Sequence, residues 1–268
     1  MKRRVFAALI AVLLAVGAFC AWRYYSDVYL PNKEITDGDR SHRELFERIK
    51  PDIGQPQQKT GGGTDQKTHQ QDTVEPSEQE YAPYRELVVH NDDSVGWLTI
   101  DGTAIDYPVV QTDDNTFYLE HGFDREYLYV GCPFLDYRCK SDFSGFNSII
   151  YAHHLSGYPS MFTQITDYKD EEYLQSHPTG VLMTRKGVHT VRFFAYMIVP
   201  NPSFAFVTEI GTQKEKEKYI DDIYENAVYT AVYTSAELKK NTELRLLLLS
   251  TCTYEFEQAR GVLAGVIE

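Results

Sequence analysis

The chain has few cysteines. The four in 268 residues, Cys20, Cys132, Cys139 and Cys252, are too scattered for a disulfide scaffold. They also lack the paired C-x-x-C spacing of a structural zinc site. Positive charge is scarce as well: 26 Lys and Arg against 39 Asp and Glu leave a net charge of −13. That balance excludes the basic footprint with which nucleic-acid binders neutralise phosphates. No internal repeat is visible. Against these absences, 43% of residues are hydrophobic and 13% aromatic, enough to bury a substantial core and to exclude global disorder. The length suits one domain of ordinary size with additions.

An uncharged apolar run fills residues 5–22, directly after Lys2, Arg3 and Arg4. About 20 such residues in a helix cross the hydrocarbon core, and flanking basic residues stay cytoplasmic. The expectation is a retained single-pass anchor over residues 1–23, with the N-terminus inside and the rest outside. A cleaved signal peptide is the rival, with small residues Ala15 and Gly17, or Ala18 and Cys20, as a weak cleavage site. Phe19 stands where a lipoprotein signal wants a small residue, so Cys20 reads as an apolar residue within the helix.

Residues 24–50 are expected to hold a short juxtamembrane helix, opened by the capping box Ser41-His42-Arg43-Glu44 and stopped by Pro51. Residues 51–80 contain only Ile53 and Val74 as clearly apolar residues. Such a segment cannot offset its own ordering entropy and reads as a flexible linker. From residue 81 to 268 the pattern is globular. Strands are expected at 95–100, 104–110, 147–153, 180–184, 189–199, 243–251 and 259–267. Leu246 to Leu249 form a continuous apolar run, suited to a strand buried on both faces. A helix opens at the capping box Thr212-Gln213-Lys214-Glu215, with Ile220, Ile223, Tyr224 and Ala227 as its apolar stripe. Many short strands around one helical insertion suggest a closed or nearly closed β-barrel with appended helices.

Cys252 ends the buried strand. If strands 243–251 and 259–267 form a hairpin, Cys252 and Arg260 lie at the same end of it. A guanidinium beside a thiol favours the thiolate or holds an oxyanion. A cysteine nucleophile also needs an imidazole for its proton, and His153-His154 exits the strand at 147–153. The bland alternatives are a core cysteine and a polar strand end.

The segments SIIYAHHLSGYPSMF, LLSTCTYEFEQARGVL and VGWLTIDGTAIDYPVVQTDDNTFYLEH resemble the sortase family, class B in particular. The resemblance covers about residues 80–268 and includes the L-S-T-C form of the family's signature at Leu249-Ser250-Thr251-Cys252. The helix near 212–228 stands where that class carries its insertion. Two departures are Ala152, where a glycine often precedes the catalytic histidine, and the long Gln-rich stalk. The resemblance implies a mainly β, closed barrel of about eight strands and a cysteine transpeptidase without metal or cofactor. By it, Cys252 attacks a Thr carbonyl in an NPxT- or PxTG-like sorting signal on a secreted protein. His153 moves the proton and Arg260 steadies the oxyanion or substrate backbone. An amine of peptidoglycan or its lipid-linked precursor then resolves the thioacyl-enzyme.

Asn115, Leu119, Tyr151 and Ser250 match the family's substrate groove, although Leu119 and Tyr151 also suit a core, and Asn115 and Ser250 local backbone. His154 is expected to point away from the cleft by strand alternation. Cys132 and Cys139 are close enough in sequence for a short-loop disulfide, which nothing requires.

Papain-like endopeptidases run Cys before His, opposite to the order here. L,D-transpeptidases place their Arg closer after the Cys than the step from Cys252 to Arg260. A pilus-assembling sortase and a non-catalytic surface-tethered binding module remain as alternatives. Pilus enzymes of class C usually carry a second, C-terminal membrane segment, which is not expected after Glu268.

Overall fold

The computed structural model describes residues 2–52 and 80–268; of the expected linker, residues 53–79 lie outside the described residues. The chain divides into two compact units, Met1–Glu44 and Leu45–Glu268.

In the first unit, α1 (Lys2–Tyr24) leads through a π-helical turn (Tyr25–Tyr29) into α2 (Leu30–Ile49). Ser41 therefore lies inside a helix and caps nothing, contrary to the capping box read from sequence. Pro31 directly follows the π-helical turn within this continuous helix, and without an N–H it cannot extend the backbone hydrogen-bond ladder there. The Arg43–Asp39 pair, four residues apart at 2.9 Å, supports the turn that the capping box was expected to open. Among the described residues no helix is long and apolar enough to cross a membrane.

The second unit opens with the last turn of α2 and continues with α3 (Ala82–His90). Then follow β1 (Ser94–Thr99), β2 (Asp106–Val110), β3 (Phe134–Leu135) and β4 (Asn147–Tyr151). Next come α4 (Glu171–Ser176), β5 (Thr179–Thr184), β6 (Gly187–Pro200), α5 (Gln213–Asn226) and β7 (Ala227–Thr230). The chain closes with α6 (Ser235–Lys240), β8 (Leu246–Cys252) and β9 (Ala259–Ile267). The expected capping box opens α5: Thr212 accepts from the Glu215 N–H, and Glu215 reaches back to Thr212.

The strand order β5-β1-β2-β3-β4-β8-β9-β6 returns to β5 through the β5–β6 pairing, so eight strands close the barrel. β7 lies outside the ring, on β6. Closure leaves none of the eight with a free edge. The core is rich in aromatic and leucine side chains, with Trp97, Phe193, Phe194 and Leu246 through Leu249 fully buried. A 3-10 helix at Thr163–Lys169 buries Ile165 and Tyr168, as strand β8, apolar on both faces, requires.

Phe46 belongs with this unit. Its ring packs edge-on against Trp97, Tyr107 and Phe123 at 6.0, 5.8 and 6.2 Å, and Lys50 pairs with Asp106 at 2.6 Å. The compact unit therefore begins 36 residues before the boundary expected at residue 81 (45 against 81).

Candidate active site

Two registers bring the chemistry together. β4 and β8 are parallel, with Tyr151 opposite Ser250. His153 and Cys252 each lie two residues further on, so both leave the sheet at the same end and on the face of their predecessors. β8 and β9 are antiparallel, with Cys252 directly opposite Arg260. Thr251 ties the first pair together, its hydroxyl donating to the Ala152 carbonyl at 2.9 Å. All three functional side chains are half-buried, neither sealed from substrate nor fully hydrated.

A cleft of about 400 Å³ opens at this end of the barrel. Asn115, Leu119, Tyr151, His153, Ser250, Cys252 and Arg260 all line it, together with Phe134, Arg138 and Phe206. The Ser250 hydroxyl is buried with no hydrogen-bond partner among the described residues.

The imidazole of His153 is held from behind. Its Nε2 lies 2.8 Å from the Leu119 carbonyl oxygen. A carbonyl can only accept, so the proton sits on Nε2 and Nδ1 is left for proton transfer. Leu119 ends a 3-10 turn (Phe117–Leu119) capped by Asp114, which accepts from the N–H groups of Thr116 and Phe117 at 2.5 and 2.8 Å. Gly131, at φ +63°, fits against the Leu119 carbonyl, where a Cβ would come within 2.7 Å. His154 faces the other way: its Nδ1 contacts the Cys252 carbonyl at 3.0 Å and its ring packs near Tyr254.

The other two thiols of the barrel are buried. Cys132 and Cys139 are free and buried, with no disulfide between them. Burial pushes the Cys139 thiol up to about 12 and raises that of Cys132.

The sequence reading missed a carboxylate behind the cleft. Asp136 is fully buried and accepts from Arg138 Nε at 2.9 Å and Nη2 at 2.7 Å. It also takes Asn115 Nδ2 and Tyr151 Oη, each at 3.0 Å. Burial works to raise its pKa, but the hydrogen bonds from Arg138 and Tyr151 outweigh it and hold the carboxyl below the ordinary value. The D-Y-R spacing, which lets one acid bind the guanidinium two residues on, was the available signal. Among the described residues no cluster of His, Cys, Asp or Glu is arranged to hold a metal.

No protein-family model matches the chain. Sortase B of Listeria monocytogenes is 34% identical over 183 residues, 68% of this chain and 72% of the relative. Among solved structures, Listeria sortase B superposes with a TM-score of 0.59 at 34% identity, covering 68% of this chain and 98% of that one. A Clostridium perfringens sortase B gives 0.62 at 27%, covering 69% and 98%. A Streptococcus pyogenes class B sortase gives 0.61 at 29%, covering 70% and 98%. With that identity carried across the cleft-bearing barrel, the chain belongs to the class B sortases and is a cysteine transpeptidase.

Proposed function

We propose that this transpeptidase cleaves an NPxT- or PxTG-like sorting signal on secreted proteins and transfers the new carboxyl end to an amine of peptidoglycan or its lipid-linked precursor. The observation that carries the reading is the double register that sets Cys252 abreast of His153 and opposite Arg260. The Cys252 thiolate attacks the Thr carbonyl carbon, and Arg260 donates to the oxyanion that forms. The C–N bond then breaks, and His153 gives its proton to the leaving amine. In the second half, His153 takes a proton from the incoming amine as its nitrogen attacks the thioester and Cys252 departs as thiolate. Asn115, Leu119, Tyr151 and Ser250 bind the peptide along the cleft. Similar sortases B have been solved with substrate and with triglycine, the ligand types this cycle requires.

The same reading places the enzyme on the outer face of the cell membrane, anchored by residues 1–23. The basic triplet before the apolar run supports it, as do the exposed side chains of Leu13 and Leu14 on α1. A pilus-assembling role is the second reading, favoured by the likeness to the Streptococcus pyogenes enzyme, which is involved in pilus biogenesis.

Mass spectrometry of products from a library of sorting peptides, with and without added amine, tests both. Transfer to glycine-type amines supports wall anchoring, and transfer to a pilin lysine supports pilus assembly. Cys252→Ala abolishes cleavage and transfer alike; transpeptidation near the wild-type level in that variant overturns the assignment.

A further inference from the structure

Three of the cleft's side chains, Asn115, Arg138 and Tyr151, come from three different segments and share one buried anchor. Asp136, immediately after β3, is that anchor. It is fully buried and is not part of the cleft lining. Its Oδ1 accepts from the Arg138 N–H and Nε, at 3.0 and 2.9 Å. Its Oδ2 accepts from Arg138 Nη2, Asn115 Nδ2 and Tyr151 Oη. The carboxylate's acceptor sites are thus filled by fixed donors, and each bond to it is charge-assisted.

The arrangement dictates what the cleft offers to a peptide. Tyr151 and Asn115 each donate a hydrogen bond to Asp136. Asn115 Oδ1 is further occupied by the Tyr137 N–H at 3.0 Å. The Tyr151 oxygen, its proton engaged, faces a peptide as an acceptor. Arg138 is held through Nε and Nη2, the latter also donating to the Phe206 carbonyl at 3.2 Å. Its Nη1 remains as a donor, fixed in direction by the fork on Asp136.

We propose that Asp136 is a positioning residue for substrate recognition, orienting Asn115, Tyr151 and Arg138 so that the cleft presents a fixed pattern of donors, from Asn115 and Arg138, and an acceptor, from Tyr151, to an extended peptide backbone. This rests on the reading that a sorting peptide occupies the cleft. A buried acid that binds three groove side chains at once sets their geometry together, so loss of the acid is one event and not three. Burial raises the Tyr151 hydroxyl far above the ordinary range, which keeps its proton in place for Asp136.

The test uses Asp136→Asn, Tyr151→Phe, Asn115→Ala and the triple combination in the full chain. Two quenched peptides, one NPxT and one PxTG, are assayed alongside alkylation of Cys252 by iodoacetamide. The expected result is a fall of about 10²-fold in kcat/KM for Asp136→Asn, carried mainly by KM, as expected when positioned groups drift by about an ångström. Alkylation of Cys252 keeps its wild-type rate, because the thiol and His153 are untouched. The triple variant loses no more than Asp136→Asn alone, since Asn115 and Tyr151 are two of the three side chains through which the acid acts.

Additive losses in the triple variant overturn the proposal, as does wild-type KM in Asp136→Asn. Loss of alkylation in a folded Asp136→Asn protein also overturns it. If Asp136→Asn does not fold, Arg138→Lys replaces it: it keeps the charge but loses the fork, and the same rise in KM is expected. Wild-type KM in that variant overturns the proposal. If the wild-type protein cleaves neither peptide, the proposed substrate is at fault and not the role of Asp136.

Discussion

At the scale of single residues, two adjacent histidines separate by placement. His153 lines the cleft with its Nε2 on the Leu119 carbonyl, whereas His154 contacts the Cys252 carbonyl from the opposite face. General acid–base catalysis contributes about 10²–10⁴-fold, so His153→Ala loses that factor in kcat/KM and His154→Ala loses far less. Equal losses in the two variants contradict the orientation of this strand end. Arg260 gives a second residue-scale prediction. Lysine keeps the charge but loses the planar fork, and removal of one oxyanion donor costs about 10²–10³ in rate. Arg260→Lys is expected to fall by that order; near-normal turnover assigns Arg260 a purely electrostatic effect on Cys252. The placement of these residues was legible from strand alternation and from the pairing of Cys252 with Arg260, whereas their roles came from the resemblance of the L-S-T-C and His segments to the sortase family. For Asp136 only the pairing with Arg138 was legible in D-Y-R, because nothing in that string says that Asn115 and Tyr151 come within 3.0 Å of it.

At the scale of elements, sequence and structure agree where local chemistry decides. The Thr212–Glu215 box opens α5, and Asp170 accepts from the Glu172 N–H to open α4, as its position before that helix suggests. They part where long-range packing decides. β3 has two residues and exists only through its pairings with β2 and β4, so no periodicity announces it. β7 replaces the expected last turn of the insertion helix, because residues 227–230 pair with β6. The last turn of α2 falls within the expected helix over 24–50, but its packing on the barrel carried no local signal. Phe46 has no local signal for its three aromatic partners on the barrel, which lie more than 50 positions away. Truncating a buried phenylalanine typically costs about 3–5 kcal/mol. Phe46→Ala in the 45–268 protein is therefore expected to lower the denaturation midpoint clearly, with an unchanged denaturant slope. A fragment starting at residue 80 is expected to show the same loss or more. Equal stability of the 45–268 and 80–268 proteins shows that the helix end adds nothing to the barrel.

At the scale of the whole molecule, a chain with a net charge of −13 holds several barrel carboxylates ionised through partners. Asp142 resists burial, which alone would raise it, and its hydrogen bonds to Ser144 and Lys186 bring it down to about 2. Glu268, at the end of β9, is likewise lowered once Arg192 and Tyr233 outweigh its burial. A carboxylate with a depressed native pKa adds stability above its unfolded value, and that stability is lost as pH falls through the native value. For Asp142 the window runs from about 4 down to about 2, a contribution on the order of 1–2 kcal/mol at its partly exposed site. His189 acts earlier. Burial lowers its pKa, with Arg245 adding to the effect, so the unfolded chain binds its proton first and stability begins to fall below the ordinary imidazole value of 6.5. Two stages of acid loss are expected in urea unfolding followed by circular dichroism from pH 8 to 2. The first, shallow stage disappears in His189→Gln, and the second, steeper stage shrinks in Asp142→Asn. A single transition that neither substitution alters places the acid sensitivity of the barrel elsewhere.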